Sequence, residues 1–325
     1  MALMIAPGFL LKKLKLVGTG AVGALSAVLL YVCQPFLTIK SFVVSEAEAS
    51  GALAINMLIM LGLSFLVHIV AFLILRLIFF AGGKLKKSEV TQEYKLRTGA
   101  MTFCGIFCNA GFMGIPFVEQ ITGSGEAVIY AVVFMCAFNA LMWTLGIYII
   151  TGDIKKMKPL RGILNPAVIV LTIALPVFFI PGVKAFVNEQ MNPLVTGIKY
   201  LGDATLPVSM LIAGIRMGEL PVRTVFNDWR LYVVSGVKLL ILPGIILTLM
   251  LPFLLTGVFG NTDPGNRIIT ALVIMAALPA AASAIALSER FGGDAPAATR
   301  GFLLTTILSV ITLPAVLTLI AFAVG

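Results

Sequence analysis

The stretch Asn109-Ala-Gly-Phe-Met-Gly-Ile-Pro116 interrupts an apolar segment that runs from Met101 to Ile121. In hydrocarbon every backbone N–H and C=O group needs a partner within the protein, so a membrane helix rarely contains two glycines and a proline this close together. Where such a helix is broken, the opened backbone usually lines a cavity. A second interruption, Leu278-Pro279-Ala280-Ala281, falls within the apolar segment Ile268–Ser288. The two interruptions predict a pair of broken membrane helices with a binding site between them.

The composition predicts an integral membrane protein. Hydrophobic residues make up 60% of the 325 residues, charged residues only 11%, and the mean hydropathy is +1.08. A soluble domain of this length could not bury so much apolar surface. Apolar runs near the ~20 residues needed to cross a bilayer predict nine spans: Thr19–Phe42, Ala52–Phe80, Gly99–Thr122, Ala127–Thr151, Asn165–Phe186, Pro193–Met217, Leu231–Gly257, Ile268–Ser288 and Gly301–Val324.

Basic residues are concentrated in alternate loops, at positions 12–15, 84–97, 155–161, 216–230 and 290–300. The other loops carry only Lys40, Lys184, Lys199 and Arg267. Because Lys and Arg accumulate in the cytoplasmic loops of membrane proteins, this bias places the first set in the cytoplasm and the C-terminus on the non-cytoplasmic side. The net charge of +9 is then a topology signal. We expect the lipid bilayer, and no nucleic acid, as a partner.

The chain is predicted to consist of two related halves, residues 1–151 and 165–325, joined by a basic cytoplasmic linker, 152–164. In each half a span with a hinge proline, Pro35 or Pro207, precedes one plain span and then a broken span. A complete repeat would hold five spans, and because five is odd, the second half must enter the membrane from the opposite side. This predicts an inverted repeat. Residues 1–11 are too few to cross a bilayer, which predicts an incomplete first helix.

The backbone of the two breaks predicts an anion site. We expect Pro116 and Pro279 to begin the second half of each helix, because proline suits the first helical position. Free N–H groups at a helix start favour negative charge. Gly111 and Gly114 would let the backbone turn and approach a ligand closely, although small residues also serve helix packing in membranes.

Polar side chains near the breaks extend the predicted substrate-binding set. Asn109 offers both a donor and an acceptor for a carboxylate; an interhelical hydrogen bond is the alternative. Ser283 and Ser209 are further candidates, although their hydroxyls could instead bond to carbonyls of their own helices. Ala280, in the second break, completes the set.

Ionisable residues within apolar segments are functional candidates by default. Lys238 could extend to the cytoplasmic interface or act as a counter-charge to substrate. His68, the only histidine, could take part in a proton-coupled step or pack through a hydrogen bond. Asp203 could form a gate or a solvated helix end. The chain has no cluster with the spacing of a metal or catalytic site, so we expect no metal, no cofactor and no enzymatic activity.

The motifs carry a family resemblance. The chain contains, in this order, Gly8-Phe-Leu-Leu-Lys-Lys13, the Asn109–Pro116 motif, Leu201-Gly-Asp-Ala-Thr-Leu-Pro207, Leu278-Pro279-Ala-Ala and Thr305-Thr-Ile-Leu-Ser-Val-Ile-Thr-Leu-Pro314. Together they resemble the auxin efflux carrier family of membrane transport proteins, which includes plant auxin carriers and bacterial malate and malonate carriers. The resemblance covers essentially the whole chain.

The resemblance implies an all-α membrane protein with two inverted five-helix repeats, in a crossover fold like that of sodium/proton antiporters. It also implies a scaffold domain and a moving transport domain, within a homodimer in a bacterial inner membrane. We therefore expect a secondary carrier that exports or exchanges small organic anions. The alternatives are a cation/proton antiporter of similar fold, which the lack of a carboxylate cluster in any span disfavours, and a non-transporting membrane sensor.

Overall fold

The computed structural model describes residues 2–18, 20–44, 46–82, 91–160, 164, 166–219, 225–255 and 263–324. In these ranges the chain is helical, which confirms the predicted all-α class. We number the α-helices in chain order: α1 Ala2–Lys13, α2 Ala21–Val28, α3 Gln34–Val43, α4 Gly51–Gly82, α5 Gln92–Ile106, α6 Ile115–Thr122, α7 Gly125–Leu141, α8 Ile147–Thr151, α9 Pro166–Phe179, α10 Val183–Gln190, α11 Asn192–Asp203, α12 Thr205–Glu219, α13 Trp229–Gly236, α14 Leu242–Leu255, α15 Asp263–Ala277, α16 Ser283–Phe291 and α17 Ala295–Val324.

Several of these helices are joined by turns of the wider π-helix. The π-helical turns are Leu29–Cys33, Ala110–Gly114, Met142–Gly146 and Val237–Ile241. A 3₁₀ turn, Ile154–Lys156, lies in the predicted linker. Some predicted boundaries and basic positions lie outside the described residues: Thr19, 83–90, 161–163, Asn165, 220–224 and Gly257.

Six helices in the described ranges are long and apolar enough to cross a membrane: Ala21–Val43, Gly51–Phe79, Gly125–Thr151, Asn192–Glu219, Trp229–Phe253 and Ala295–Ala323. A seventh candidate is the pair Val168–Phe179 and Val183–Gln190, which bends by 101° at its break. The two apolar segments with the predicted interruptions do not form continuous helices of this length, because each is divided into two pieces, α5 with α6 and α15 with α16. The described residues therefore contain six or seven continuous or bent candidate spans and two interrupted apolar segments.

The helices pack into two groups. The first bundle contains α1–α3 and α9–α12, and the second bundle contains α4–α8 and α13–α17. In the first bundle α1 lies directly on α12: a Cβ atom at Gly8 or at Gly214 would overlap the backbone of the other helix. Such close approach through glycine is how helices gain packing energy where water provides no hydrophobic drive.

Most of the buried core lies in the second bundle. Its fully buried side chains include Met60, Phe103, Phe107, Tyr130 and Phe134. A smaller cluster in the first bundle lies between the span Ala21–Val43 and α12. The broken helices are thus held by dense packing on one side and face the first bundle on the other.

Candidate functional site

Each predicted interruption breaks a helix near its middle. Helix α5 ends at Ile106, and helical backbone resumes in the π-helical turn that starts at Ala110. Helix α15 ends at Ala277, and α16 begins at Ser283. Both second halves continue for more than two turns, so each break leaves a helix end and a helix start inside the bundle.

The two breaks lie against each other and form backbone hydrogen bonds. The N–H group of Asn109 donates to the carbonyl of Pro279 at 2.8 Å, and the N–H group of Ala281 donates to the carbonyl of Phe107 at 2.9 Å. The two segments run antiparallel. Each break thereby satisfies polar backbone groups that the other exposes, as a low-dielectric interior requires.

A threonine on a third helix supports the second break. The N–H group of Ala280 donates to Oγ1 of Thr305 at 3.1 Å, and Thr305 in turn donates to carbonyls of its own helix α17. Ala280 lies opposite Cys108 in the antiparallel backbone pairing of the two breaks. The second break is therefore fixed between the first break and α17.

Pro116 lies in the first turn of α6, as predicted, whereas the prediction for Pro279 was wrong, because α16 begins only at Ser283. A π-helical turn that starts at Ala110 precedes Pro116, and the Asn109 carbonyl accepts the N–H groups of Met113 and Gly114. The wide π-helical turn opens the hydrogen-bond ladder just before Pro116, which has no N–H to donate. Pro279 lies within the second break, where its carbonyl pairs with the first break.

Four backbone N–H groups at the two helix starts are open. Those of Gly111, Phe112, Ala282 and Ser283 have no hydrogen-bond partner within the described part of the chain. Unpaired N–H groups of this kind are expected at any helix start. Here they belong to two helices that meet, so their partial positive charges face the same region.

A small cavity of about 60 Å³ lies at these starts. Its lining combines the first break, the second break and the first bundle: Leu30, Gln34, Cys108, Asn109, Ala110, Gly111, Phe112, Met135, Phe138, Asn139, Met142, Ala281, Ala282 and Ser283. A larger cavity of about 530 Å³ adjoins it and shares five of these residues. At its far end the larger cavity is lined by Arg216 and Arg290, which belong to the predicted cytoplasmic set.

Three predicted substrate-binding residues lie at this cavity. Asn109 is 7% exposed, and its carboxamide makes no hydrogen bond to a described residue. The Ser283 hydroxyl is buried without a partner in this part of the chain and borders both cavities. Gly111 lines the small cavity with its backbone. Their arrangement leaves donors available for a ligand.

Other predicted members do not line either cavity. The Ser209 hydroxyl donates to the Leu206 carbonyl at 2.8 Å within α12. Gly114 packs against the second break, since a Cβ there would lie 2.7 Å from Sδ of Met275 and 2.8 Å from Cδ1 of Leu278. Gly114 is thus a close-packing position. Pro116, Pro279 and Ala280 are likewise absent from the cavity walls.

Lys238 and His68 are both buried behind the breaks. Lys238 is 1% exposed, and its Nζ donates to the carbonyl of Ile106 at 3.2 Å, at the end of α5. Its positive charge therefore faces the negative end of the first half-helix, rather than extending to an interface. Nδ1 of His68 lies 2.7 Å from the Ser64 carbonyl, so this nitrogen carries the proton, and the ring packs among phenylalanines.

An ion-pair cluster joins the two bundles at the opposite end from the large cavity. Nζ of Lys40, on α3, lies 2.6 Å from a carboxylate oxygen of Glu119 on α6 and 2.6 Å from one of Asp203 on α11. The Lys40–Glu119 pair crosses between the bundles. The Asp203 side chain is 57% exposed at the end of α11, as a solvated helix end would be, and it lines neither cavity. The hinge prolines Pro35 and Pro207 lie in the first turns of α3 and α12.

Gln34 is a cavity residue that the sequence analysis missed. It is 5% exposed and lies where the π-helical turn Leu29–Cys33 passes into α3. The signal that could have found it is composition: Gln34 is the one carboxamide in the apolar span Ala21–Val43. Polar side chains within a membrane span are functional candidates by default.

Comparison with known proteins identifies the family. The sequence profile of the family described as "Membrane transport protein" matches residues 1–317. A protein named "Putative malonate transporter" from Rhizobium meliloti (strain 1021) is 27% identical over 260 residues, which cover 77% of this chain and 74% of that protein. The chain is therefore an integral membrane protein and belongs to the membrane transport protein family, the auxin efflux carrier family that its motifs resemble.

Proposed function

We propose that this protein is a secondary transporter for small organic anions and holds a carboxylate group between its two helix breaks. The observation that carries the proposal is the pair of open helix starts, with the N–H groups of Gly111, Phe112, Ala282 and Ser283 at one cavity. Helix starts favour anions because their N–H groups point outward and their dipoles add. The similarity to a protein named as a malonate transporter supports the same ligand class.

The charge distribution around the two cavities suits a carrier that must both bind and release an anion. Each helix start acts like roughly half a positive charge, so two starts offset about one negative charge. Neither cavity is lined by an aspartate or glutamate among the described residues, so the anion meets no fixed charge of its own sign. The helix dipoles and the carboxamide of Asn109 can replace the water around a carboxylate. They form no permanent ion pair with it, so the substrate can be released.

The cavity dimensions favour a small acid. The small cavity has room for a few water-sized groups, such as one carboxylate, and the rest of the substrate would extend into the larger cavity. Arg290 is in the last turn of α16 and has no ion pair with a described residue. At 1.5 Å per residue its backbone lies roughly 10 Å along the helix from that of Ser283, and both residues line the larger cavity. Arg290 therefore attracts anions into the larger cavity.

We propose alternating access between the two bundles. The larger cavity opens the site toward the basic, cytoplasmic end, while the Lys40–Glu119 ion pair links the bundles at the other end. Exposure to the non-cytoplasmic side would require this pair to separate and the walls of the larger cavity to approach. The first bundle would act as the scaffold and the second as the transport domain.

The proposed topology has nine spans, formed by the six continuous helices, the bent pair and the two interrupted helices. The halves 1–151 and 165–325 would be inverted repeats, with the C-terminus on the non-cytoplasmic side of a bacterial inner membrane. We expect a homodimer. Because no carboxylate cluster lies in the described spans, we propose uniport or weak coupling rather than cation/proton antiport.

The test is malonate flux in proteoliposomes of the purified full chain, with Asn109→Asp as the matched control. We expect saturable uptake by the wild-type protein and none by the variant, because a fixed negative charge at the cavity would repel the substrate. Imposed pH and sodium gradients distinguish the coupling modes. Absence of flux for malonate and for a panel of other small organic acids, with folded protein in the vesicles, would contradict the proposal. Strict sodium dependence would contradict uncoupled transport.

A further inference from the structure

Gln34 has an unusual environment for a buried carboxamide. Its Nε2 donates to the sulfur of Met135 at 3.1 Å, and no other partner of this side chain is found among the described residues. A thioether is a weak acceptor, and a buried amide without strong hydrogen bonds costs free energy. The side chain therefore lies in the cavity wall without the strong partners that its burial would ordinarily require.

The first break is shaped to admit this side chain. Gly111 lies directly beside the Gln34 carboxamide, and a Cβ atom at position 111 would overlap Nε2. The Gly111 N–H is one of the open groups at the helix start. The carboxamide is thus held next to the place where the proposed function requires a carboxylate.

Gln34 also lies in a different bundle from the other polar residues of the small cavity. Asn109, Asn139 and Ser283 belong to the second bundle, whereas Gln34 belongs to the first. The π-helical turn just before it widens the helix at this point, and such turns are frequent at functional sites. A ligand that contacts Gln34 and the helix starts would therefore touch both bundles.

We propose that Gln34 is a substrate-binding residue whose carboxamide donates to the carboxylate held at the helix breaks, in exchange for its contact with the Met135 sulfur. This inference rests on the proposed function and deepens it. Donation to a charged acceptor replaces donation to a weak one, so the exchange favours the bound state. Because Gln34 belongs to the first bundle, substrate occupancy would then bias how closely the bundles approach.

The test compares one substitution at Gln34 and at an exposed glutamine outside both cavities. Malonate binding is measured by calorimetry on the detergent-purified full chain for wild type, Gln34→Met and Gln190→Met, the control at the exposed end of α10. If Gln34 contacts substrate, Gln34→Met weakens malonate binding at least tenfold, whereas Gln190→Met leaves it within about twofold. Replacing Gln by Met nearly conserves side-chain volume.

Two outcomes would overturn the inference. These are wild-type affinity in Gln34→Met and an equal loss in both variants. If Gln34→Met does not fold, Gln34→Glu replaces it, because a carboxylate of the same shape would repel malonate and lower affinity by a similar or larger factor. Wild-type affinity in Gln34→Glu would equally overturn the inference. If the wild-type protein binds no small organic acid, the proposed function fails instead, so the two failures are distinguishable.

Discussion

Both broken helices expose backbone N–H and C=O groups at the break, but different residues surround these groups in the two helices. The first break contains a π-helical turn, the carboxamide of Asn109 at its start, and the ammonium group of Lys238 at the preceding helix end. The second break is formed by small residues, held by Thr305, with only the Ser283 hydroxyl added at the helix start. The backbone pairing is shared, whereas the polar side chains are concentrated at the first break.

This difference predicts separate roles for the two breaks. Side chains at the first break should set the affinity for an anion, since they add donors and positive charge to the open N–H groups. The second break should contribute mainly its backbone, so changes there should affect stability more than affinity.

Substitution of Asn109 should have the largest effect. We expect Asn109→Ala to weaken malonate binding by roughly 10- to 150-fold, because a hydrogen bond to a charged group contributes about 1.5–3 kcal/mol. Asn109→Asp should be at least as severe, since it adds like charge. Calorimetry measures the affinity, and size-exclusion chromatography checks that the protein is folded. Undiminished binding or full transport by either variant would contradict the role of the first break.

Removal of the Lys238 charge, which lies behind the first break at the Ile106 carbonyl, should lower malonate affinity by about tenfold. A tenfold change corresponds to an attraction of about 1.4 kcal/mol. Lys238→Met removes that attraction without touching the cavity lining, and malonate titration measures the loss. Lys199→Met, at an exposed position on α11, changes the net charge equally and serves as the control. Equal effects of the two variants would show that Lys238 acts only through net charge.

Thr305→Val should reduce stability but not affinity. The change keeps the side-chain shape and leaves the buried N–H group of Ala280 without its acceptor, which costs about 1–3 kcal/mol. A lower thermal unfolding temperature is expected, with malonate affinity nearly unchanged. Thr318→Val is the control, because that hydroxyl is exposed and bonds only within its own helix. A similar fall in both variants would show that the second break does not depend on Thr305.

Ser283→Ala should have the smallest effect, about a threefold loss of malonate affinity, since one neutral hydrogen bond contributes about 0.5–1.5 kcal/mol. Ser209→Ala provides the comparison, because the Ser209 hydroxyl is already bonded within α12. We expect no change for that variant. A loss for Ser283→Ala as large as that for Asn109→Ala would remove the contrast between the two breaks.

Local sequence signals predicted the helical class and both breaks, because apolar length and the placement of glycine and proline act over a few residues. They predicted Pro116 in the first turn of α6, but neither the π-helical turn ahead of it nor the start of α16 at Ser283, four residues after Pro279. Proline position alone does not distinguish a helix start from a widened turn.

The parts of the site that depend on distant residues were not predictable from one sequence. The pairing of Asn109 with Pro279 and of Lys40 with Glu119 joins segments far apart in the chain. The direction of the Lys238 side chain depends on where α5 ends in space, and the local pattern left interface and substrate equally open. Gln34 is an intermediate case, since its polarity was visible but its approach to Gly111 was not.

The backbone N–H group of Ser283 reports directly whether a carboxylate is bound by the open N–H groups at the paired helix starts. Labelling with ¹³C′-alanine and ¹⁵N-serine selects the amide resonances of serines that directly follow an alanine. Such Ala-Ser pairs occur at 49–50 and 282–283. The two resonances are assigned with Ser283→Ala. We predict that malonate moves the Ser283 amide resonance and leaves that of Ser50 unchanged. Malonate binding that leaves the Ser283 amide unmoved would contradict the account.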